Sequence, residues 1–261
     1  MMEVSPGQLL SADIGNTSIS IGIFQGKRLV ERFDFPTPST QKHSLSFLKK
    51  RLKTYRIASC AIASVVPEAT ISLKKVLCLL TGTEPLVLGK DFCVPLKNRY
   101  RRPSEVGQDR LINAYAASKL FRAPAIIIDS GTALTFDILS RKNEYLGGMI
   151  LPGLNISLQA LFEKTALLPK VSLTHPKEFI GRDTVSSILS GLLWGYALLI
   201  DAMVAKIKKA IGRDATVIGT GGCIGLIACK CRQIRRVEPA LTLNGLNILH
   251  RMCLTGLRNK V

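Results

Sequence analysis

The sequence predicts an α/β chain built from two similar domains, and three observations carry that prediction. An apolar strand, then Asp-x-Gly, then hydroxyl or amide side chains, occurs at residues 9–18 and returns at 125–135. The elements that open the chain, three strands followed by helix, strand, helix and strand, begin to repeat after residue 124. The length of 261 residues suits two domains of ordinary size, and a composition 47% hydrophobic and 21% charged belongs to a core-forming protein.

Each element has its own signal. In SADIGNTSISIGIF, residues 11–24, Ile19, Ile21 and Ile23 alternate with Ser18, Ser20 and Gly22, which marks a strand after a turn. Strands are expected near 8–12, 18–24 and 28–35. Residues 39–55 read as an amphipathic helix, and ASCAIASVVP as a buried strand closed by Pro67. A helix near 68–81 and a short strand in PLVLG complete the first half. VGQDRLINAYAASKLF begins a helix leading into the second half. There the strands fall at 125–129, 133–139 and 144–151, a long helix at 184–211, and a last strand in ATVIGTGG at 215–222. The boundary is placed near residue 120, giving domains 1–120 and 121–261.

Composition also excludes classes of function. No basic start followed by an apolar region appears at the N-terminus, so no secretory signal is expected. The most apolar run, 188–200, is interrupted by Ser190, Gly191 and Gly195 and is too short for a bilayer. Seven cysteines, an odd count in mostly apolar surroundings, read as buried reduced thiols and not as disulfides or a zinc site. Lys and Arg exceed Asp and Glu by 36 to 18, a net charge of +18. The cations fall in separate clusters without interleaved aromatics, so solvated faces that attract small anions are expected and nucleic-acid recognition is not. In the long helix Gly191 and Gly195 share a face, which suits either close packing within the chain or a subunit interface.

The repeated turns suggest chemistry. Gly15 lets backbone N–H groups come close to a ligand, Asn16, Thr17 and Ser18 add donors, and Asp13 at the strand end can hold a cation. Asp129, Gly131, Thr132 and Thr135 repeat the device, so two hairpins facing one cleft could grip a nucleotide triphosphate from both sides. The glycines of IGTGG, 218–222, suit either approach to an adenosine or a structural turn.

The motifs DIGNT at 13–17, SVVP at 64–67, YRRPSEVGQDR at 100–110, DSGTALTFD at 129–137, GGMILPG at 147–153, TALLP at 165–169, GRDTVSSILSG at 181–191 and TGG at 220–222 run nearly end to end. In this order they resemble the type III pantothenate kinases, or Bvg accessory factor family, of the acetate/sugar kinase, heat-shock 70 and actin superfamily. The resemblance implies two ribonuclease H-like (actin-like ATPase) domains, each a mixed five-stranded sheet flanked by helices, with the active site in the cleft between them. It implies ATP-dependent phosphorylation of pantothenate to 4′-phosphopantothenate, the first step of coenzyme A synthesis.

Residue by residue, the resemblance makes Asp109 the general base. Asp13, Ile14, Gly15, Asn16, Thr17, Ser18, Ile19, Ser20 and Thr132 would bind ATP, with Asp13 near Mg2+. Tyr100, Gly107, Gln108, Asp109, Arg110 and Thr184 would contact pantothenate. Asp129 would bind a monovalent cation, K+ or NH4+, and Asp137 would brace the second hairpin. A cytoplasmic homodimer is implied, with no membrane association. Two alternatives differ in kind: another phosphotransferase or phosphatase of the superfamily, which would lack the 100–110 segment, and a non-enzymatic regulator or nucleic-acid-binding protein, suggested by the charge of +18, which would not need Asp13, Asp109 and Asp129.

Overall fold

The computed structural model describes residues 7–37 and 41–254, so the first two residues of the helix expected over 39–55 lie outside the described residues. It divides into two units, one of Met1–Leu96, Ser104–Ala116 and Ala240–Val261, the other of Lys97–Pro103 and Ala117–Pro239.

The sheet of the first unit holds β1 (Gln8–Ile14), β2 (Ser18–Gln25), β3 (Arg28–Pro36), β4 (Ile57–Ser64) and β5 (Leu86–Val87), in the order β3-β2-β1-β4-β5. It is mixed, because β1 runs antiparallel to β2 and parallel to β4. Short turns make the first three strands a meander. Gln25 pairs with Arg28 across Gly26, whose φ of 60° suits glycine. Two helices, α1 (Gln41–Arg51) and α2 (Pro67–Thr81), then carry the chain back to parallel strands. Pro67 cannot extend a strand ladder but fits the first position of α2, so the strand expected to run to Pro67 ends at Ser64.

Leu48 of α1 and Leu73, Val76 and Leu77 of α2 pack in one buried cluster with Leu10, Ala12, Ile14, Ile19, Ile21 and Ile23. A second cluster joins Leu9 and Phe24 to Leu243, and a third joins Ile112 and Tyr115 to Leu246 and Leu249. Ile112 and Tyr115 belong to α3 (Gln108–Leu120), and Leu243, Leu246 and Leu249 to α7 (Leu241–Leu254). Gly245 allows the two helices to touch: a β carbon there would lie 2.4 Å from Ile112 Cγ2. The sequence pattern predicts no helix at 241–254 and assigns those residues to the second domain. Packing on β1, β2 and β4 puts α7 in the first unit.

The sheet of the second unit holds β6 (Ala125–Ser130), β7 (Ala133–Leu139), β8 (Tyr145–Pro152), β9 (Thr216–Thr220) and β10 (Arg236–Val237), in the order β10-β9-β6-β7-β8. Counted in chain order within each unit, both sheets read third, second, first, fourth, fifth. The duplication seen in two short motifs is a duplication of whole sheets. The helices here are α4 (Leu154–Lys164), α5 (Thr184–Ile211) and the short α6 (Ile224–Ala228).

Leu193, Ala197, Ile200, Val204 and Ile207 of α5 recur at helical spacing and are buried with Ile126, Ile128, Leu134 and Phe136. A capping box starts the helix. Asp183 accepts the Ser186 N–H at 2.8 Å, and Ser186 Oγ accepts the Asp183 N–H at 3.1 Å. The apolar run 188–200 by itself is too short for a bilayer. The helix that contains it has 28 residues and is long and apolar enough by length and composition to cross one. Its buried stripe packs on the second sheet, as a core helix does.

Candidate active site

Asp13 is the penultimate residue of β1, paired with Ser20 of β2 and beside Ala63 of β4. The turn closes through the Gly15 N–H, which donates to the Ser18 carbonyl at 3.0 Å, and Val65 N–H donates to the Ile14 carbonyl at 3.1 Å. This leaves Asn16, Thr17 and Ser18 exposed and Asp13 half-buried. A β carbon at Gly15 would lie 3.3 Å from the Ser18 carbonyl oxygen, so the tight turn favours glycine. Ile14 and Ile19 have their side chains in the core, so they can offer a nucleotide only backbone atoms. Ser20 directs its hydroxyl to the Asp34 carboxylate.

The first turn of α3 lies at the same edge of this sheet. Gly89 follows β5 with φ 85°, and a β carbon there would lie 3.6 Å from Gln108 Cδ. That is the carboxyl edge of the parallel strands, where ligands bind in open α/β sheets. Asp109 is half-buried, and its carboxylate folds back over Gly107, where a β carbon would lie 2.4 Å from Asp109 Oδ1. The glycine of GQDR is thus a steric requirement of the aspartate's position. Arg110 is buried, 8% exposed.

The second unit repeats the device with a shorter turn. Asp129 pairs with Thr135 of β7 and Thr220 of β9, and the Gly131 N–H donates to the Ala133 carbonyl at 3.0 Å. Two further glycines complete it. Gly153 crosses the turn so closely that a β carbon would lie 2.3 Å from the Thr132 carbonyl oxygen and 2.4 Å from that of Gly131. Its N–H donates to Thr132 at 3.0 Å. Gly221, with φ 92°, would place a β carbon 2.3 Å from Asp129 Oδ1. The turn at 218–222 therefore packs against the Asp129 carboxylate, as a structural turn would. The sequence pattern offers the glycines of 218–222 to a ligand or to a plain turn and assigns Gly153 no role. A glycine directly after a strand, twice, was the signal available.

Tyr100 and Thr184 are not brought together in the second unit. Residues 97–99 dock on the start of β8, with Arg99 N–H donating to the Tyr145 carbonyl at 2.8 Å, and the Tyr100 ring lies 3.4 Å from where a β carbon of Gly147 would be. Thr184 begins α5. The hydroxyl of Tyr196, farther along that helix, reaches the carbonyl of Pro152 at the opposite end of β8, 2.7 Å away. The helix ends against Arg141, in the turn before β8, where a β carbon of Gly212 would lie 2.8 Å from its Nη2. Thr184, about 18 Å before Tyr196 at about 1.5 Å per residue, therefore lies beyond the Pro152 end and away from Tyr100. Asp137 is fully buried and accepts from Tyr145 Oη at 2.8 Å and Thr135 Oγ1 at 3.2 Å, so it braces the second hairpin.

All seven cysteines are free thiols. Cys93 and Cys229 are exposed, which corrects the expectation that the thiols are buried. Burial, with the Asp201 carboxylate beside it, pushes the Cys231 thiol up to about 12, so it is no nucleophile at neutral pH. Among the described residues, no three His, Cys, Asp or Glu side chains gather as a metal cage. A magnesium ion bound with a nucleotide needs no cage, since one or two carboxylates plus phosphate oxygens suffice.

The sequence model of the type III pantothenate kinase family matches residues 9–206. The type III pantothenate kinase of Geobacter sulfurreducens is 41% identical over 249 residues, 93% of this chain and 98% of that protein. Those of Dehalococcoides mccartyi, at 38% over 94% of this chain and 96% of that one, and Myxococcus xanthus, at 37% over 93% and 97%, are similar. Among solved structures, the activator of 2-hydroxyisocaproyl-CoA dehydratase from Clostridium difficile, determined with bound ADPNP, superposes with a TM-score of 0.55. It is 13% identical, covering 97% of this chain and 98% of that one. A glucokinase of the ROK family from Streptomyces griseus, in complex with glucose and AMPPNP, has a TM-score of 0.50 at 13% identity, covering 94% and 100%. These two show the shared fold, two five-stranded mixed sheets flanked by helices. With the family match spanning most of the chain, the protein belongs to the type III pantothenate kinase family.

Proposed function

We propose that this chain transfers the γ-phosphoryl group of ATP to the hydroxyl of pantothenate, giving 4′-phosphopantothenate, the first step of coenzyme A synthesis. In a member of this family, the observation that carries the reading is the repeated Asp-x-Gly turn at the carboxyl edge of two sheets of identical order. Phosphoryl transfer asks a protein for positioning, charge neutralisation and an oriented nucleophile. Asp109 accepts the proton of the substrate hydroxyl, held in place by the bare backbone of Gly107. Arg110 pairs with the polar groups of pantothenate, and the 15–18 turn offers backbone N–H groups and the side chains of Asn16, Thr17 and Ser18 to the phosphates. Thr132 adds a hydroxyl in the second turn.

The residues fit the ions that the family implies. Asp13, half-buried beside the first turn, suits magnesium that arrives with ATP, and the ion would neutralise phosphate charge. Asp129 has two glycines against its carboxylate, Gly131 and Gly221, and turn carbonyl oxygens nearby in chain. That is a donor set for a monovalent cation, potassium or ammonium, whose charge would offset that of the nucleotide.

Thr184 lies far from Tyr100 within its own unit, which supports completion of the substrate site by the partner in a homodimer. The surface for it lies along α5. Among the described residues no atom lies within 4 Å of where a β carbon of Gly191 or Gly195 would be, so neither glycine serves packing there. Val185 and Leu198, with Phe179 and Ile180 from the preceding loop, expose apolar side chains beside them. The enzyme is assigned to the cytoplasm, where its substrates are. The test is a coupled assay of ADP release with ATP, magnesium and pantothenate, run in potassium, ammonium, sodium and choline buffers. Turnover that depends on pantothenate, and on potassium or ammonium, is the expected result. ADP release indifferent to pantothenate overturns the substrate, and equal rates in all four buffers overturn the cation at Asp129.

A further inference from the structure

We infer that the amino-terminal edge of the first sheet is a binding surface for the phosphate backbone of double-stranded nucleic acid, separate from the kinase site. In the sequence its cations are scattered over three elements. The fold gathers them. Lys27 and Arg28 sit in the β2–β3 turn, and β2 ends beside the start of β1, where Leu9 pairs with Phe24. The start of β1 in turn holds residue 56: Gln8 N–H donates to the Arg56 carbonyl at 2.9 Å, and Arg56 N–H donates to Gln8 Oε1 at 3.0 Å. Lys53 precedes it in a 3-10 turn, and Lys49 and Lys50 end α1. That end of α1 is pinned on β3 by Arg51, which pairs with Glu31 at 3.0 Å and lies over the Phe33 ring.

Six exposed cations thus share one end of the unit, and none of the six makes an ion pair among the described residues. Glu31, three residues after Arg28 on β3, is already paired with Arg51. Along α1 a shallow hollow lined by Lys42, His43, Ser46, Phe47 and Lys50 continues the charged surface. The net charge of +18 supplies a long-range attraction for polyanions of every kind. The chemistry here selects one. Phe47, which also faces this hollow, packs against Phe33 and Phe35, and Tyr55 packs on the same core, so the aromatics beside these cations are half-buried and not open platforms for unpaired bases. Val30 is the one large apolar side chain exposed on β3, too little to enter a bilayer. Phosphates of a duplex need neither. The seven residues of β1 put about 20 Å between this surface and the Asp13 edge, beyond a Debye length of about 8 Å in physiological salt.

The experiment is fluorescence anisotropy of a labelled two-turn DNA duplex with the full-length protein at 50 and 200 mM salt. With about six phosphates neutralised, affinity should fall on the order of 1,000-fold between the two. The triple variant Lys27→Glu, Lys53→Glu, Arg56→Glu should weaken binding about 100-fold or more at 50 mM while kinase turnover stays at the wild-type value. A control with the same charge change elsewhere, Lys206→Glu, Lys209→Glu, Arg213→Glu, should weaken it less than about tenfold. Equal loss in both variants, or no duplex binding by the wild type at 50 mM, overturns the assignment. So does equally tight binding to phosphatidylserine vesicles that the first variant abolishes. Circular dichroism of each variant separates lost binding from lost fold.

Discussion

Replacing Gly221 with alanine puts a methyl carbon 2.3 Å from Asp129 Oδ1 and 2.7 Å from the backbone N and C of Ser130. The carboxylate could swing away, but the strand backbone could not. Two costs add. A non-glycine residue held at φ 92° is strained by about 1–3 kcal/mol. Forcing a methyl group into a filled space costs about 1–3 kcal/mol more. Gly221→Ala should therefore lose about 2–6 kcal/mol in urea unfolding. Its neighbour is the control, because nothing lies within 4 Å of a β carbon at Gly222. Gly222→Ala should stay within about 0.5 kcal/mol of wild type. If Gly221 braces Asp129, the surviving Gly221→Ala enzyme should also need more potassium for half-maximal turnover. Equal stability and equal potassium response in the two variants would refute the bracing role.

Three other outcomes follow from the same geometry. Gly107→Ala must push the Asp109 carboxylate out of its place, since the new methyl group would lie 2.4 Å from Oδ1; turnover should fall at least about tenfold with the melting temperature little changed, read by steady-state kinetics and calorimetry. Gly191 and Gly195 are exposed, and among the described residues no atom lies within 4 Å of a β carbon at either, so with Gly191→Leu and Gly195→Leu folding should be preserved while light scattering in high salt, after nuclease treatment, shifts from dimer to monomer and activity falls with it. Burial lowers the imidazole pKa of His250 from 6.5. The unfolded chain then binds more protons than the folded one below that value, so stability is full above pH 6.5 and declines as pH falls through the window beneath it. The urea midpoint should be lower at pH 5.5 than at pH 7.5, and His250→Leu should flatten that difference.

The hairpins were legible because their signals are local. Strict alternation at Ile19, Ile21 and Ile23 and the Asp-x-Gly turns each fix structure within a few residues. The same holds for α2, whose start Pro67 announces, and for the buried stripe of α5. What was not legible depends on tertiary packing. Residues 241–254 carry Gly245 and Asn247 in mid-helix, poor local signals, and α7 is held by packing on α3 and the first sheet. A cut near 120 could not foresee that the chain returns to the first unit for its last described helix. The three-glycine turn at 218–222 looked equally suited to a ligand or to a plain turn, because its purpose is set by Asp129, far away in sequence. The basic edge of the first sheet was hidden for a similar reason, since register brings residues 27, 28 and 56 to one end and sequence spacing does not show it.

The most direct test of the account is product analysis with Asp109→Asn. The substitution keeps the shape of the side chain beside Gly107 and removes its capacity to accept a proton. Wild-type protein incubated with ATP, magnesium, potassium and pantothenate should form 4′-phosphopantothenate, detected by mass spectrometry. The folded variant should form it about 100- to 10,000-fold more slowly at saturating substrate. A variant that makes the product at the wild-type rate, with the same circular dichroism and melting temperature, would contradict the assignment of Asp109 as the base.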